Sequence, residues 1–513
     1  MIKNIFSLTK NFLSERSNRN IISNIFTKIF VSFIALLFVP IYVSIVGLDY
    51  FGIIAIFTLL SSIFGIFDLG ISNSLNRLIA ANINHSNSFR RLINQTRVLE
   101  FLYWIIGFVI TVIIILLSGF IADQLASSDI FPPERMEKII IIFAILFFIQ
   151  WPTNFYSAGV YGLQRHSLLN FSNIFMLLLR NFLGLIYLKF YDNSIEGFLI
   201  WQCIGYFVWT LTLIIIFHKI FPSKDFKINF SYDSIKDLIP FAKGLFFISI
   251  FTVFITQFDK IILAKLLPIE EIGIYGISAL AASTVHYYAT GFYTAMFPKF
   301  SSLSKASNIY ELKNLFNKVT MICAVLTYST MSVYIIYAYE IIFLWTNNIE
   351  IVNASKNIII VLTIATAFHS QTSLFLALQL SKKNTIIPIA KNIIMLTFLV
   401  PISIFAIKAY GVIGAAIGWL TVTLMALMIE PIISYKTLLG KGILRWLIVS
   451  NIIPLITSIS IVFIVAKFIP NTEIKLLSFI EILLVFIFTL FVTFIVSFKF
   501  RNENYGKSHV YEE

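Results

Sequence analysis

Among the ionisable side chains inside or at the ends of long apolar runs, seven are candidates for function: the cations Arg180, Lys391, Arg77, Lys260 and Lys28, and the acids Asp68 and Asp259. A charge held in hydrocarbon costs ~2.5–3.5 kcal/mol at mid-depth, so each needs a partner, a route to the surface or a functional reason. Arg180 lies thirteen residues into the 23-residue run 168–190, too deep to reach either surface easily. A guanidinium offers a planar fork of donors that matches two oxygens of a phosphate or carboxylate. The chemistry it suggests is anion binding in a wet cavity; the alternative is an interhelical pair with a carboxylate such as Asp68.

The other charges divide in the same way. Lys391, beside Asn392, either lines that cavity or snorkels to the near surface. Lys260 follows Asp259, and Gln257 is near. Neighbours on a helix point about a hundred degrees apart, so one of the two faces the cavity and the other an adjacent helix, or Lys260 snorkels. Arg77 and Lys28 close their runs as topology anchors, or flank the mouth by which an anionic headgroup enters. Arg77 is the better candidate, because Asn73 and Asn76 accompany it. Asp68 either pairs with a cavity cation or carries a coupling proton or sodium ion. Glu430 reads as an end residue, and His286 and His369 as hydrogen-bonded packing residues. No loop holds paired carboxylates, a nucleophile–base set or metal-ligand spacing, and no Gly-rich phosphate loop is present. The reading is therefore a protein without catalytic residues, metal or cofactor.

The elements that must position these groups follow from composition. Of 513 residues 58% are hydrophobic and 12% charged, and mean hydropathy is +0.90. A soluble chain carries about 25% charged residues. Soluble enzymes, coiled coils, disordered chains and disulfide scaffolds are excluded. Cys203 and Cys323 read as small core hydrophobes. Apolar runs at 25–47, 51–80, 98–118, 139–163, 168–190, 197–217, 244–266, 273–297, 319–343, 358–381, 385–407, 411–435, 446–467 and 476–498 are each long enough to span a bilayer as a helix. The expected fold is all-α and polytopic, with about fourteen transmembrane helices. Placing the N-terminus in the cytoplasm puts 25 Lys and Arg in inner segments against 8 in outer ones, as the positive-inside rule requires. The formal charge of +13 is thus explained by topology and does not point to nucleic acid. Both termini are expected to be cytoplasmic.

The expected organisation is a cytoplasmic amphipathic segment over 1–24, an N-lobe over 25–217, a linker at 218–243, a C-lobe over 244–435, two added helices over 446–498 and a tail over 499–513. Gly47-Leu48-Asp49-Tyr50-Phe51-Gly52-Ile53 after the first run matches Pro268-Ile269-Glu270-Glu271-Ile272-Gly273-Ile274 after the seventh. An even number of spans separates them, so the repeat is parallel: two six-helix lobes around a central cavity.

These segments, with Pro40-Ile41-Tyr42, Phe67-Asp68-Leu69-Gly70-Ile71, Asn76-Arg77, Gln257-Phe258-Asp259-Lys260, Phe297-Pro298-Lys299-Phe300-Ser301 and Tyr410-Gly411-Val412-Ile413-Gly414-Ala415-Ala416, resemble the polysaccharide flippases of the multidrug/oligosaccharidyl-lipid/polysaccharide exporter superfamily, in particular the O-antigen (Wzx-type) branch. The resemblance implies a multi-pass protein of the bacterial cytoplasmic (inner) membrane that moves an undecaprenyl-pyrophosphate-type lipid-linked oligosaccharide to the outer leaflet by alternating access. It also implies the polysaccharide polymerase and glycosyltransferases of the same pathway as partners. The rival reading is an ion-coupled small-molecule or drug exporter of the same superfamily. Cation export needs an embedded carboxylate; the first run has no acid, and the interior charges are predominantly positive, which favours an anionic glycolipid.

Overall fold

In the computed structural model the described residues are 36–82, 89–125, 131–221, 239–305, 308–382, 384–468 and 475–506, with a few single positions before 36. Lys28, the segment 1–24 and most of the linker 218–243 lie outside them. Among the described residues there is no strand, and eleven helices are long and apolar enough to cross a membrane. The other three expected spans also fall on helices: α1 (Leu36–Val46), α10 (Ile239–Leu266) and α11 (Ile269–Lys305). The expectation of an all-α polytopic fold holds. Two compact units divide the chain, Met1–Gly273 and Ile274–Glu513.

The first unit departs from the expected pattern at its second span. Residues 51–80 do not form one helix: α2 (Leu48–Phe64) runs into a 3-10 turn, Gly65–Asp68, and α3 (Ile71–Asn82) starts afresh. Leu69 and Gly70 adopt φ of 51° and 72°, a left-handed step that ends the helix. Asp68 serves this break. Its carboxylate accepts from the Ser72 hydroxyl at 2.5 Å and the Ser72 amide at 3.4 Å, on donors that the first turn of α3 would otherwise leave unpaired. The remaining helices of the unit are α4 (Phe89–Leu116), α5 (Ser118–Leu125), α6 (Pro133–Gln150), α7 (Pro152–Gly162), α8 (His166–Phe190) and α9 (Ile195–Ile220). The two repeated sequence segments meet here. A Cβ on Gly52 would overlap the backbone carbonyl of Ile269, so only glycine allows α2 to approach the start of α11 this closely.

The second unit continues through α12 (Ile309–Thr346), α13 (Ile349–Ser381), α14 (Ile386–Tyr410), α15 (Val412–Ser434), a π-helical turn at Tyr435–Leu439, α16 (Ile443–Leu447), α17 (Ile453–Phe468) and α18 (Lys475–Gly506). The polar stretch 298–318, expected as a loop, is mostly helix: α11 and α12 run 37 and 38 residues. At ~1.5 Å per residue each exceeds the ~30 Å hydrocarbon thickness by many residues. Asn308 starts α12 by accepting from the Glu311 amide at 3.1 Å and donating from its side-chain amide to the Glu311 carboxylate at 2.8 Å, an N-cap that stabilises the helix start outside the apolar run.

Helices already dissolved in lipid gain little from burying apolar surface, so polar contacts and close backbone approach hold this unit together. Tyr328 donates to Asn451 at 3.0 Å, Ser332 to Ser458 at 3.0 Å and Gln371 to Thr327 at 2.9 Å. Lys391 on α14 meets Glu430 on α15, both carboxylate oxygens standing 3.3 Å from Nζ. Gln379 on α13 donates to the same carboxylate at 3.1 Å and to Ser434 at 3.0 Å. The Glu430 side chain is fully buried and that of Lys391 only 13% exposed. One sequence expectation is corrected: Glu430 is a core residue rather than a helix-end acid, and it is ion-paired with Lys391. The reason is the packing of α14 on α15, which brings position 391 opposite 430 across 39 residues of chain.

Glu430→Gln leaves the Lys391 ammonium buried without a counter-charge, a loss of about 3–5 kcal/mol. Adding Lys391→Met to it is expected to restore most of that stability, as measured by denaturant unfolding in detergent. Gly414 on α15 lies against the Ala406 carbonyl, where no Cβ fits. Gly414→Val should therefore cost about 1–3 kcal/mol through overpacking, visible as a lowered thermal unfolding midpoint, while Leu420→Val stays near the parent.

Candidate functional site

Arg180 projects from α8 into the seam with α9. Its guanidinium carbon sits 4.0 Å from the centre of the Tyr206 ring, and its stem fills the space left by Gly205, where a Cβ would lie 2.5 and 2.6 Å from Cγ and Cδ. The two helices are pinned around it. Trp201 donates to the Arg180 carbonyl at 2.8 Å. From α1, Tyr42 donates to the Asn181 carbonyl and side-chain oxygens at 3.1 and 3.2 Å. Gly184 allows this approach, since a Cβ there would stand 2.9 Å from the Trp201 ring and 3.0 Å from the Tyr42 hydroxyl.

The electrostatics of this seam are unbalanced. Among the described residues no carboxylate lies within ion-pair distance of Arg180, and Nε is buried without a hydrogen-bond partner. Asp68, the pair partner weighed from the sequence, is held instead by Ser72. A cation–π contact contributes ~0.5–1 kcal/mol, rising to about 2 when desolvated. That falls short of the ~2.5–3.5 kcal/mol cost of a central charge. Arg180 is thus a preorganised, half-buried cation whose stabilisation the protein leaves incomplete. An anion with oxygens spaced like those of a phosphate would complete it.

The remaining expected site residues scatter. Lys260 donates to Gln257 Oε1 at 3.0 Å, one turn back on α10, and its backbone amide donates to Asp259 at 2.9 Å. Its ammonium is therefore satisfied locally, while Asp259 is 7% exposed on another face of the helix. Arg77 is exposed on α3, and α7 packs closely against that helix at Gly162, where a Cβ would be 2.9 Å from the Asn76 carbonyl. Lys391 is taken by Glu430. His286 and His369 stack with ring centres 5.0 Å apart, His286 Nδ1 lying 3.3 Å from the Ser370 hydroxyl.

One cluster went unseen in the sequence. Glu100 on α4 lies 3.0 Å from Arg97, 3.3 Å from His218 Nε2 at the end of α9, and 2.6 Å from the Tyr156 hydroxyl, which it accepts from α7. Trp104 donates to that hydroxyl at 3.1 Å. Arg97 and His218 sit just outside the apolar runs 98–118 and 197–217, and Glu100 just inside; a shared membrane depth was the available signal. Such a cluster ties α4 and α7 to the C-terminal turn of α9.

The chain is similar to several known proteins. The family model described as polysaccharide biosynthesis protein matches residues 17–304, more than half of the chain. A putative O-antigen transporter of Shigella flexneri is 22% identical over 391 residues, which cover 75% of this chain and 90% of that protein. Among solved structures, lipid II flippase MurJ in an inward closed conformation superposes with a TM-score of 0.61 at 17% identity, covering 94% of this chain and 98% of that one. An inward-facing multidrug resistance MATE family transporter of the MOP superfamily gives 0.64 at 13% identity, over 82% and 95%. These structures share the fold; the match over residues 17–304 places the chain itself in the polysaccharide biosynthesis protein family.

Proposed function

We propose that this protein flips an isoprenoid pyrophosphate-linked oligosaccharide, an O-antigen or capsule repeat unit, from the cytoplasmic to the outer leaflet of a bacterial inner membrane, with both termini in the cytoplasm. The observation that carries the reading is Arg180: an intramembrane guanidinium, stacked on Tyr206, with no carboxylate partner among the described residues. Membership of the family and the likeness to a putative O-antigen transporter support it. In this reading the lipid carrier is of the undecaprenyl type. Its pyrophosphate passes the inner mouth near Arg77, engages Arg180, and leaves as two six-helix lobes alternate access, while the isoprenoid stays in lipid. Lys391 takes no part, because binding the headgroup would strip Glu430 of its counter-charge. A proton or sodium gradient, or the membrane potential, resets the cycle. The glycosyltransferases that build the glycolipid and the polymerase that consumes it are the expected pathway partners.

The same fold serves multidrug transport, and a cation exporter needs an embedded carboxylate free to exchange ion for drug. Asp68 is engaged in capping α3 and Glu430 in holding Lys391, which leaves the anionic substrate favoured. The protein is read as a transporter and not as an enzyme.

In a host deleted for this gene, complementation with Arg180→Ala is expected to reduce surface glycan at least tenfold at unchanged membrane protein level, while Arg180→Lys, a point charge without the fork, retains part. Unchanged glycan with Ala would remove Arg180 from the site. Gly205→Ala, whose methyl group displaces the Arg180 stem from Tyr206, should give an intermediate loss in the same assay.

A further inference from the structure

Between α15 and α16 the second unit opens a pocket of about 870 Å³. Its wall is apolar, built from Leu424, Met428, Pro431, Leu444 and Leu447. The wall continues into side chains open to the surroundings, with Met428 63%, Ile432 56% and Leu444 72% exposed. Two cations, Lys436 and Lys441, complete the lining, and no acidic residue does. Both are exposed, and among the described residues the ammonium of neither makes a hydrogen bond or ion pair. The backbone that presents them is tightly fixed: the π-helical turn closes with the Gly440 amide on the Tyr435 carbonyl at 2.7 Å, Lys382 donates to the Leu438 carbonyl at 2.8 Å, and Lys313 donates to the Lys441 carbonyl. Gly440 and Gly442, at φ of 76° and 113°, permit the turn that sets the two lysines at one rim.

An apolar slot with a cationic lip has the form of a phospholipid site. We propose that this pocket holds an anionic glycerophospholipid of the cytoplasmic leaflet, an acyl chain lying against Leu424, Met428 and Leu444 and the phosphate between Lys436 and Lys441. The leaflet rests on the orientation drawn from the Lys and Arg count, which puts 436–445 inside. A volume of this size accommodates a ligand with tens of heavy atoms. The acyl chain would be in hydrocarbon in either place, so the slot alone selects weakly. Selection therefore comes from charge: each Lys near an acidic headgroup strengthens binding about fivefold. The lipid would brace α16 against α15, next to the buried cluster of Tyr435, Trp446 and Phe375.

The test uses full-length protein in detergent, stripped of lipid and titrated with phosphatidylglycerol or phosphatidylethanolamine of identical acyl chains, with bound lipid counted by native mass spectrometry. The parent should prefer phosphatidylglycerol. The variant Lys436→Gln with Lys441→Gln, both at exposed positions, should weaken phosphatidylglycerol about thirtyfold and leave phosphatidylethanolamine unchanged. Loss of the same charge elsewhere, Lys356→Gln with Lys408→Gln, should leave the preference intact. An unaltered preference in the first double variant overturns the proposal. So does displacement of phosphatidylglycerol by equimolar undecaprenyl pyrophosphate in the parent but not in that variant, which would assign the pocket to the isoprenoid pyrophosphate. Neither outcome depends on glycan transport, so the failure of this proposal is distinguishable from failure of the Arg180 site.

Discussion

Hydrocarbon cannot solvate a charge or an unpaired backbone group, and that constraint governs most of what is particular about this chain. Several interior ionisable groups have been given a local solution. Glu430 and Lys391 neutralise each other, with Gln379 satisfying part of the carboxylate. Lys260 folds back onto Gln257. Asp68 covers the donors exposed where the second span breaks. Against that background Arg180 differs, because aromatic stacking offsets only part of its cost and no carboxylate among the described residues provides the rest. It is this incomplete compensation on which the proposed anion site rests.

Small residues do the corresponding work for shape. Where a membrane interior supplies little hydrophobic force between helices, the distance of closest approach controls how much van der Waals contact they make. Gly52 against Ile269, Gly205 and Gly184 between α8 and α9, and Gly414 and Gly418 between α14 and α15 all stand where a methyl group would collide. Those at 184 and 205 also set the site, since they bring Trp201 and Tyr206 to the stem and carbonyl of Arg180. Fold cohesion and the proposed anion site therefore use one device.

Reading by periodicity and run length was enough for the polytopic helical class, with eleven of the expected runs falling on helices long and apolar enough to cross a membrane among the described residues, because hydropathy is a local property of about twenty residues. It also placed Arg180 near the middle of its apolar run. It could not see the break after Asp68, because Phe67-Asp68-Leu69-Gly70 interrupts an apolar run without lowering its average. Nor could it see that 298–318 is helical, where the Asn308–Glu311 cap outweighs the polar composition.

The helical, polytopic class was thus determined by the amino-acid sequence on its own, because hydropathy depends on neighbours along the chain. Which charge meets which partner was decided only in three dimensions. Lys391 and Glu430 are 39 positions apart and Glu100 and His218 are 118 apart; their rotations about separate helix axes come from packing, to which a linear count of hydrophobicity is blind. The packing of α8 on α9 likewise sets Arg180 over Tyr206, while Asp68 is engaged by Ser72, a choice of partners that no property of the linear chain specifies.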